Sequence, residues 1–213
     1  VSEDVPVYRA DLFGGPMPVL ETERLRLRPF ADADAADVER EAGNAEVART
    51  LLTMPHPYPP GAALTWIAKH ADAWSSKKEL PLAITWREDG AFIGVVALHF
   101  DLAHKHAEIG YWISRDEWGQ GITSEAALAM TRWAFAEAGL HRVFARHMQM
   151  NPASGAVMQR IGMKFEGTLR QHYWCDGQAH DFHLYGVLKD EFAQFEAAKR
   201  REAQPFRRGP MRT

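Results

Sequence analysis

The chain carries a single cysteine, Cys175, among 213 residues, so neither an intrachain disulfide nor a cysteine-based metal cluster can form. Such usage fits a reducing compartment. No run of about 18 apolar residues occurs, which argues against a spanning helix and a membrane partner. Residues 1–18 lack the basic start and apolar stretch of a secretory signal, and a cytoplasmic location is the resulting expectation. Charge of one sign is also missing: 25 Lys and Arg face 28 Asp and Glu, a formal net charge of -3. That balance argues against nucleic acid as a partner. There is no internal repeat and no low-complexity block. The glycine pair Gly119 and Gly121 is neither a P-loop, lacking Gly-Lys-Ser/Thr, nor a dinucleotide-binding fingerprint, lacking the third spaced glycine.

What is present is an ordinary globular composition, 46% hydrophobic and 25% charged, in a chain long enough for one sizeable core. Residues 1–19 read as an irregular extension, packed on the domain through Tyr8, Leu12 and Phe13. Residues 20–190 read as the main domain, and residues 191–213 as a C-terminal helix with a basic tail that includes Arg207, Arg208 and Arg212. Apolar and charged residues alternate over 23–29, the pattern of a half-exposed strand. Pro55, Pro57, Pro59 and Pro60 make 54–61 a loop, and an amphipathic helix is expected over 62–74. Strands over 82–87 and 91–100 flank the hairpin signal Asp89-Gly90. A strand over 106–114 places Ile109, Tyr111 and Ile113 on one face and Glu108, Gly110 and Trp112 on the other. The best helix spans 122–138 and ends at Gly139. A strand over 141–150, a short helix over 152–161, and two strands around Asp176-Gly177 complete the order. The expected fold is α/β, a mixed and mostly antiparallel sheet of six or seven strands with helices on both faces.

Two segments carry chemistry. In Trp118-Gly119-Gln120-Gly121, a strand is followed by two glycines and a helix start. Amide N–H groups there can point into one concavity, helped by the helix dipole, and glycine allows close approach of a phosphate. The second segment, Asn151-Pro152-Ala153-Ser154, is a helix start with Asn151 at the N-cap and Pro152 at N1. It follows a strand, where ligands collect in α/β sheets.

The order AEIGYWI (107–113), WGQGITSEA (118–126) and NPASGAVMQRIGMKFEGTLR (151–170) resembles the GNAT acetyltransferases of the RimJ/RimL branch. LETERLRLRPF (20–30) resembles that branch's first strand and DGQAHDFHLYGVL (176–188) its last hairpin. The resemblance implies acetyl-coenzyme A as co-substrate and direct transfer to a primary amine, either a protein N-terminal α-amine or a small amine. It implies that Trp118, Gly119, Gln120, Gly121, Ile122 and Thr123 form the pyrophosphate turn. Thr123 stands where the general pattern has Gly or Ala. It further implies that Tyr111, Trp112 and Ile113 pair their backbone with the pantetheine arm, and that Asn151 hydrogen-bonds the same arm. Ser154 matches the hydroxyl assigned to the departing thiolate, and Glu108, by its strand position, is the candidate base. The strands before Trp118 and before Asn151 are expected to be adjacent and to diverge. A homodimer is compatible with the branch.

Other readings stay open on residues alone. Glu108 is equally a carboxylate on a solvated edge or in an ion pair. His99, His104, His106 and Asp101 cluster near a hairpin but read as a solvated turn, and no metal is expected. His172, Tyr173, Trp174, His180 and His183 line or flank the last hairpin, where an acceptor would approach. The alternative function is a non-catalytic module that binds acyl-coenzyme A on the same fold.

Overall fold

The structure is a computed structural model that describes residues 12–51, 54–175 and 177–203. One sheet of eight strands organises it, in the order β1-β2-β3-β4-β5-β6-β8-β7. The strands are β1 (Leu20–Glu21), β2 (Leu25–Arg28), β3 (Glu79–Trp86), β4 (Phe92–Asp101), β5 (His106–Ile113), β6 (Arg142–Met148), β7 (Lys164–Cys175) and β8 (Gln178–Leu188). Every neighbouring pair is antiparallel except β5 and β6. The eighth strand beyond the expected range is β1, two residues long and too short to leave a periodic signal.

Alternation sets the register. In β2, Leu25 and Leu27 are buried while Arg26 is exposed, so a one-residue slip would place two arginines in the core. The β3–β4 turn follows its sequence: Gly90 lies at φ +77°, and the Asp89 carboxylate accepts the Ala91 N–H at 2.9 Å.

Helices cover both faces. α1 (Ala35–Ala42), α2 (Ala45–Ala48) and α3 (Ala62–Ile67) pack Val38, Val47 and Ala63 against Ala83, Val95 and Trp112. On the opposite face α4 (His70–Ser75), α5 (Ile122–Ala136), α6 (Pro152–Arg160) and α7 (Lys189–Ala203) bury Trp74, Met130, Met158 and Phe192. The expected single helix over 62–74 is two short helices that meet at Ala68 and Lys69. α3 serves the first face, and α4 crosses from it, with His70 against Phe30 and Trp66, to the other, with Trp74 against Phe13, which one straight helix could not do. Phe13 is buried against Trp74 and Phe100, whereas Tyr8 and the basic tail beyond residue 203 lie outside the described residues.

One side chain in this frame is costly. His70 is buried, neither ring nitrogen has a hydrogen-bond partner, and it sits edge-on to Phe30 and Trp66. Burial pushes its pKa down to about 4. The unfolded chain therefore takes up a proton as pH falls through about 6.5, and the native ring does not until about 4. Stability is complete above the upper value and is lost between the two, by roughly 3 kcal/mol in all. His147, also held down by burial, adds the same sign. Urea midpoints should thus fall from pH 7.5 to pH 5, and His70→Phe should remove the larger part of that fall. An equal pH dependence in the variant would show that His70 is not its source.

Candidate active site

The site is built where the one parallel pair among the described residues comes apart. β5 and β6 are paired through His106–Arg142, Ala107–Val143 and Glu108–Phe144 alone. Beyond Glu108, β5 stays on β4 as far as Gly94–Ile113, while β6 follows β8 as far as Met148–Phe182. A wedge-shaped cleft opens between them, so the divergence expected from the sequence is present.

The edge of β5 that faces the cleft can be derived from its pairing. Ser114 donates its N–H to the Ile93 carbonyl on β4 at 2.8 Å, and the carbonyl of Trp112 also points at β4, close to Gly94. Since successive peptide groups alternate, Tyr111 and Ile113 turn their N–H groups into the cleft. Trp112 spends its backbone on β4 and its indole on the core under α1–α3. The Ile113 carbonyl is taken by the Trp118 indole N–H at 3.1 Å. Trp118 therefore closes the end of the strand, with the Arg115 guanidinium 4.7 Å over its ring.

Next comes the glycine turn. Gly119 and Gly121 lie at φ +81° and +76°, a region that ordinary L-residues avoid, and a Cβ at Gly119 would meet open space. Gly121 precedes the first turn of α5, where Ile122, Thr123 and Ser124 present N–H groups that have no partner within the helix. The buried Ser124 hydroxyl in that turn also lacks a partner. Arg24 fastens the turn to β2 by donating to the Gln120 carbonyl at 3.1 Å and to Glu125 at 2.7 Å. Burial alone would raise the Glu125 carboxyl; the Thr22 hydroxyl, the Arg24 N–H and the Arg24 guanidinium together hold it below its ordinary value. A glycine turn with free amides at a helix start suits the polyanionic end of a coenzyme A molecule.

On the far wall, the Asn151 side chain accepts the Ser154 N–H at 3.3 Å, and Pro152 opens α6. The Ser154 hydroxyl lies 3.1 Å from the Tyr111 hydroxyl, which also donates to the Ser154 carbonyl. Burial keeps the Tyr111 phenol protonated far above its ordinary range. α6 can approach this closely because Gly155 faces His147: a Cβ there would lie 2.7 Å from His147 Nε2.

On the opposite face of the sheet, Glu108 is held by Arg146. Nε donates to one carboxylate oxygen at 2.9 Å and Nη2 to the other at 2.8 Å. Of the candidates from the sequence, Tyr111, Ile113 and Ser154 thus gather at the cleft. The turn from Gly119 to Thr123 follows the end of β5 at Trp118, and Glu108 stands at the apex of the cleft. Arg24 and Arg146 escaped the sequence reading. Both are recognisable only once the fold sets them beside Glu125 and Glu108. Among the described residues no group of three or more His, Cys, Asp or Glu is arranged to hold a metal ion, and no helix is long and apolar enough to cross a membrane.

Comparison with known proteins agrees with this geometry. Residues 24–164 match the family model described as an acetyltransferase (GNAT) domain. The chain is 32% identical over 174 residues to the uncharacterized N-acetyltransferase YoaA of Bacillus subtilis, covering 81% of this chain and 97% of that one. It is 33% identical over 106 residues to the ribosomal-protein-serine acetyltransferase of Escherichia coli, covering 49% and 59%. Among solved structures, RimL, a ribosomal L7/L12 α-N-protein acetyltransferase in complex with coenzyme A, superposes with a TM-score of 0.75 at 20% identity, over 82% of this chain and 99% of the other.

The close approach at Gly155 generates a prediction. Gly155→Ala should push α6 off β6 and destabilise the fold by about 1–3 kcal/mol. Trimming the opposing ring in Gly155→Ala/His147→Ala should return part of that loss. Thermal unfolding of the three chains reads both effects; strictly additive losses would mean that the contact does not limit α6.

Proposed function

The chain belongs to the GNAT acetyltransferase family, and from that premise we propose that it moves an acetyl group from acetyl-coenzyme A directly to a primary amine. The observation that carries the reading is the parting of β5 from β6 beyond Glu108, between a glycine turn and a tyrosine–serine pair. The domain that does this spans residues 20–190.

Bound acetyl-coenzyme A supplies an activated thioester. The chain's own residues do the rest. Gly119, Gln120, Gly121, Ile122 and Thr123 offer backbone N–H groups and a helix dipole to the pyrophosphate, with the Arg24 guanidinium beside them. Tyr111 and Ile113 extend the ladder of β5 to the amides of the pantetheine arm, and Asn151 faces them from the start of α6. An N–H group in the cleft also meets negative charge as it grows on the thioester oxygen.

Glu108 receives the proton of the incoming ammonium, directly or through a water molecule. Two of its lone pairs face Arg146, and a carboxylate offers about four. The pair thus fixes the carboxylate without exhausting it. Ser154 gives a proton toward the departing sulfur and regains one from solvent, while the Tyr111 hydroxyl 3.1 Å away holds the serine oxygen in place. A thiolate with an ordinary pKa near 8.5 needs only modest help.

The acceptor is a protein N-terminal α-amine or a small amine. The E. coli relative is named for a ribosomal protein as its acceptor and RimL for an α-amine of one, which supports the former. Amino-terminal α-amines titrate near 7.7–8.0, well below lysine, and so need less from a base at neutral pH.

Thiol release from acetyl-coenzyme A across amino-terminal peptides and small amines tests the proposal. Glu108→Gln should lower kcat by about 10²–10⁴-fold and leave the affinity for coenzyme A within about twofold, with the same far-ultraviolet circular dichroism. Tight binding of coenzyme A without release above hydrolysis for any amine would replace the enzyme by an acyl-coenzyme A-binding module.

A further inference from the structure

β7 and β8 do not pair evenly. Leu169 faces Phe182 and Tyr173 faces His180, with Arg170, Gln171 and His172 on β7 opposite Asp181 alone on β8. Gln171 adopts φ +50°, and its N–H is accepted by the Asp181 carboxylate at 2.7 Å. The Asp181 carbonyl is used by the Gln149 N–H at 3.0 Å. The bulge is therefore pinned from both ends of one residue. Bulges of this kind change the face that a side chain occupies. Strict alternation from Leu169 would put His172 on the face of α5 and α6. Instead its ring packs edge-on to Phe182 at 5.7 Å, on the face that carries Arg146 and Glu108.

There the imidazole has a defined partner. Arg146 Nη1 lies 3.1 Å from His172 Nε2. A guanidinium has donors only, so Nε2 must accept and the ring proton must sit on Nδ1. The Phe182 ring, 6.0 Å beneath the Arg146 guanidinium, supports both groups. Glu108, Arg146 and His172 thus form a row across β5, β6 and β7. The Glu108 end can accept a proton, and the His172 end can donate a hydrogen bond.

We propose that His172 is a specificity-determining donor of the acceptor site, with Arg146 as the positioning residue that fixes its Nδ1–H form. The group it serves is a carbonyl or carboxylate oxygen on the acceptor, a few bonds from the amine that meets Glu108. The proposal rests on the acetyl-transfer reading for its substrate, but the Arg146–His172 relation does not.

Two measurements on the full chain test it. Long-range ¹H–¹⁵N correlation spectra report the tautomer of His172 with no substrate present. The unsubstituted chain should show the proton on Nδ1, and Arg146→Ala should give a mixture or the Nε2–H form. A proton on Nε2 in the unsubstituted chain overturns the proposal. Steady-state kinetics then compare a serine-initiated tetrapeptide amide with 1,4-diaminobutane, which has no oxygen. His172→Leu should raise KM for the peptide about three- to tenfold, the worth of one neutral hydrogen bond, with kcat and the diamine KM nearly unchanged. His172→Asn, whose side-chain NH₂ falls near the place of Nδ1–H, should restore most of the peptide KM. Equal losses for both acceptors, or no rescue by Asn, overturn the assignment. Absence of turnover with either amine in the unsubstituted chain would sink the acetyl-transfer reading and with it the substrate oxygen. The spectra would still decide what Arg146 does to His172.

Discussion

The ladder between β5 and β6 stops after three residue pairs, and most of what is distinctive in this molecule answers to that interruption. A strand that leaves its neighbour exposes N–H and C=O groups that cannot stay buried and unpaired. The chain meets the demand in part by itself. The Trp118 indole takes the Ile113 carbonyl, and the pairing of β5 with β4 occupies the other edge. What is left, the inward N–H groups of Tyr111 and Ile113 with the Tyr111 carbonyl between them, forms a strip the width of one extended chain. A slender amide-bearing ligand that adds itself as a strand is the natural complement.

Holding two strands apart requires something in between and something behind. α6 enters from one side, allowed in by Gly155 against His147 and steadied by the contact of Tyr111 with Ser154. α5 is held at its first turn through Glu125, which binds Thr22 and Arg24. That link ties the glycine turn to the opposite end of the sheet. Burial disfavours the charge on Glu125, and the donors around it reverse the balance. Such a carboxylate works as a rigid joint more than as a source of stability, since partly exposed ion pairs contribute little net energy.

Much of this was legible in the sequence because the signals were local. Asp89-Gly90 marks a hairpin, Asn151-Pro152 a helix start, and Gly119 with Gly121 a turn that only glycine makes without strain. The alternation of Ile109, Tyr111 and Ile113 against Trp112 correctly divided the two faces of β5. What escaped was non-local. The partners Glu108 and Arg146 are 38 residues apart, and nothing in either segment announces the other until β5 is set beside β6. The break between α3 and α4 was hidden for a different reason: residues 62–74 hold no glycine or proline to mark it, and it is the need to cover two faces that divides them. The bulge in β7 was invisible because its cause, the carboxylate of Asp181, lies on the next strand.

These non-local features share a physical logic. A loop can place a polar group near a cleft, but only loosely; strands fix it to within a fraction of an ångström, provided that register is fixed. Here three strands of one sheet, β5, β6 and β7, contribute one polar side chain each to the same face, and a guanidinium in the middle binds the other two. Arginine suits the central place for geometric reasons. Its planar fork meets both oxygens of Glu108 with two donors and still has a third for His172, whereas a lysine ammonium has neither the reach nor the plane. The consequence is coupling: Glu108 cannot change its orientation without moving Arg146, and Arg146 cannot move without releasing the imidazole. The apex of the cleft and the β7 bulge therefore behave as one unit, although the strands that carry them meet through β6 and β8 and never pair with each other.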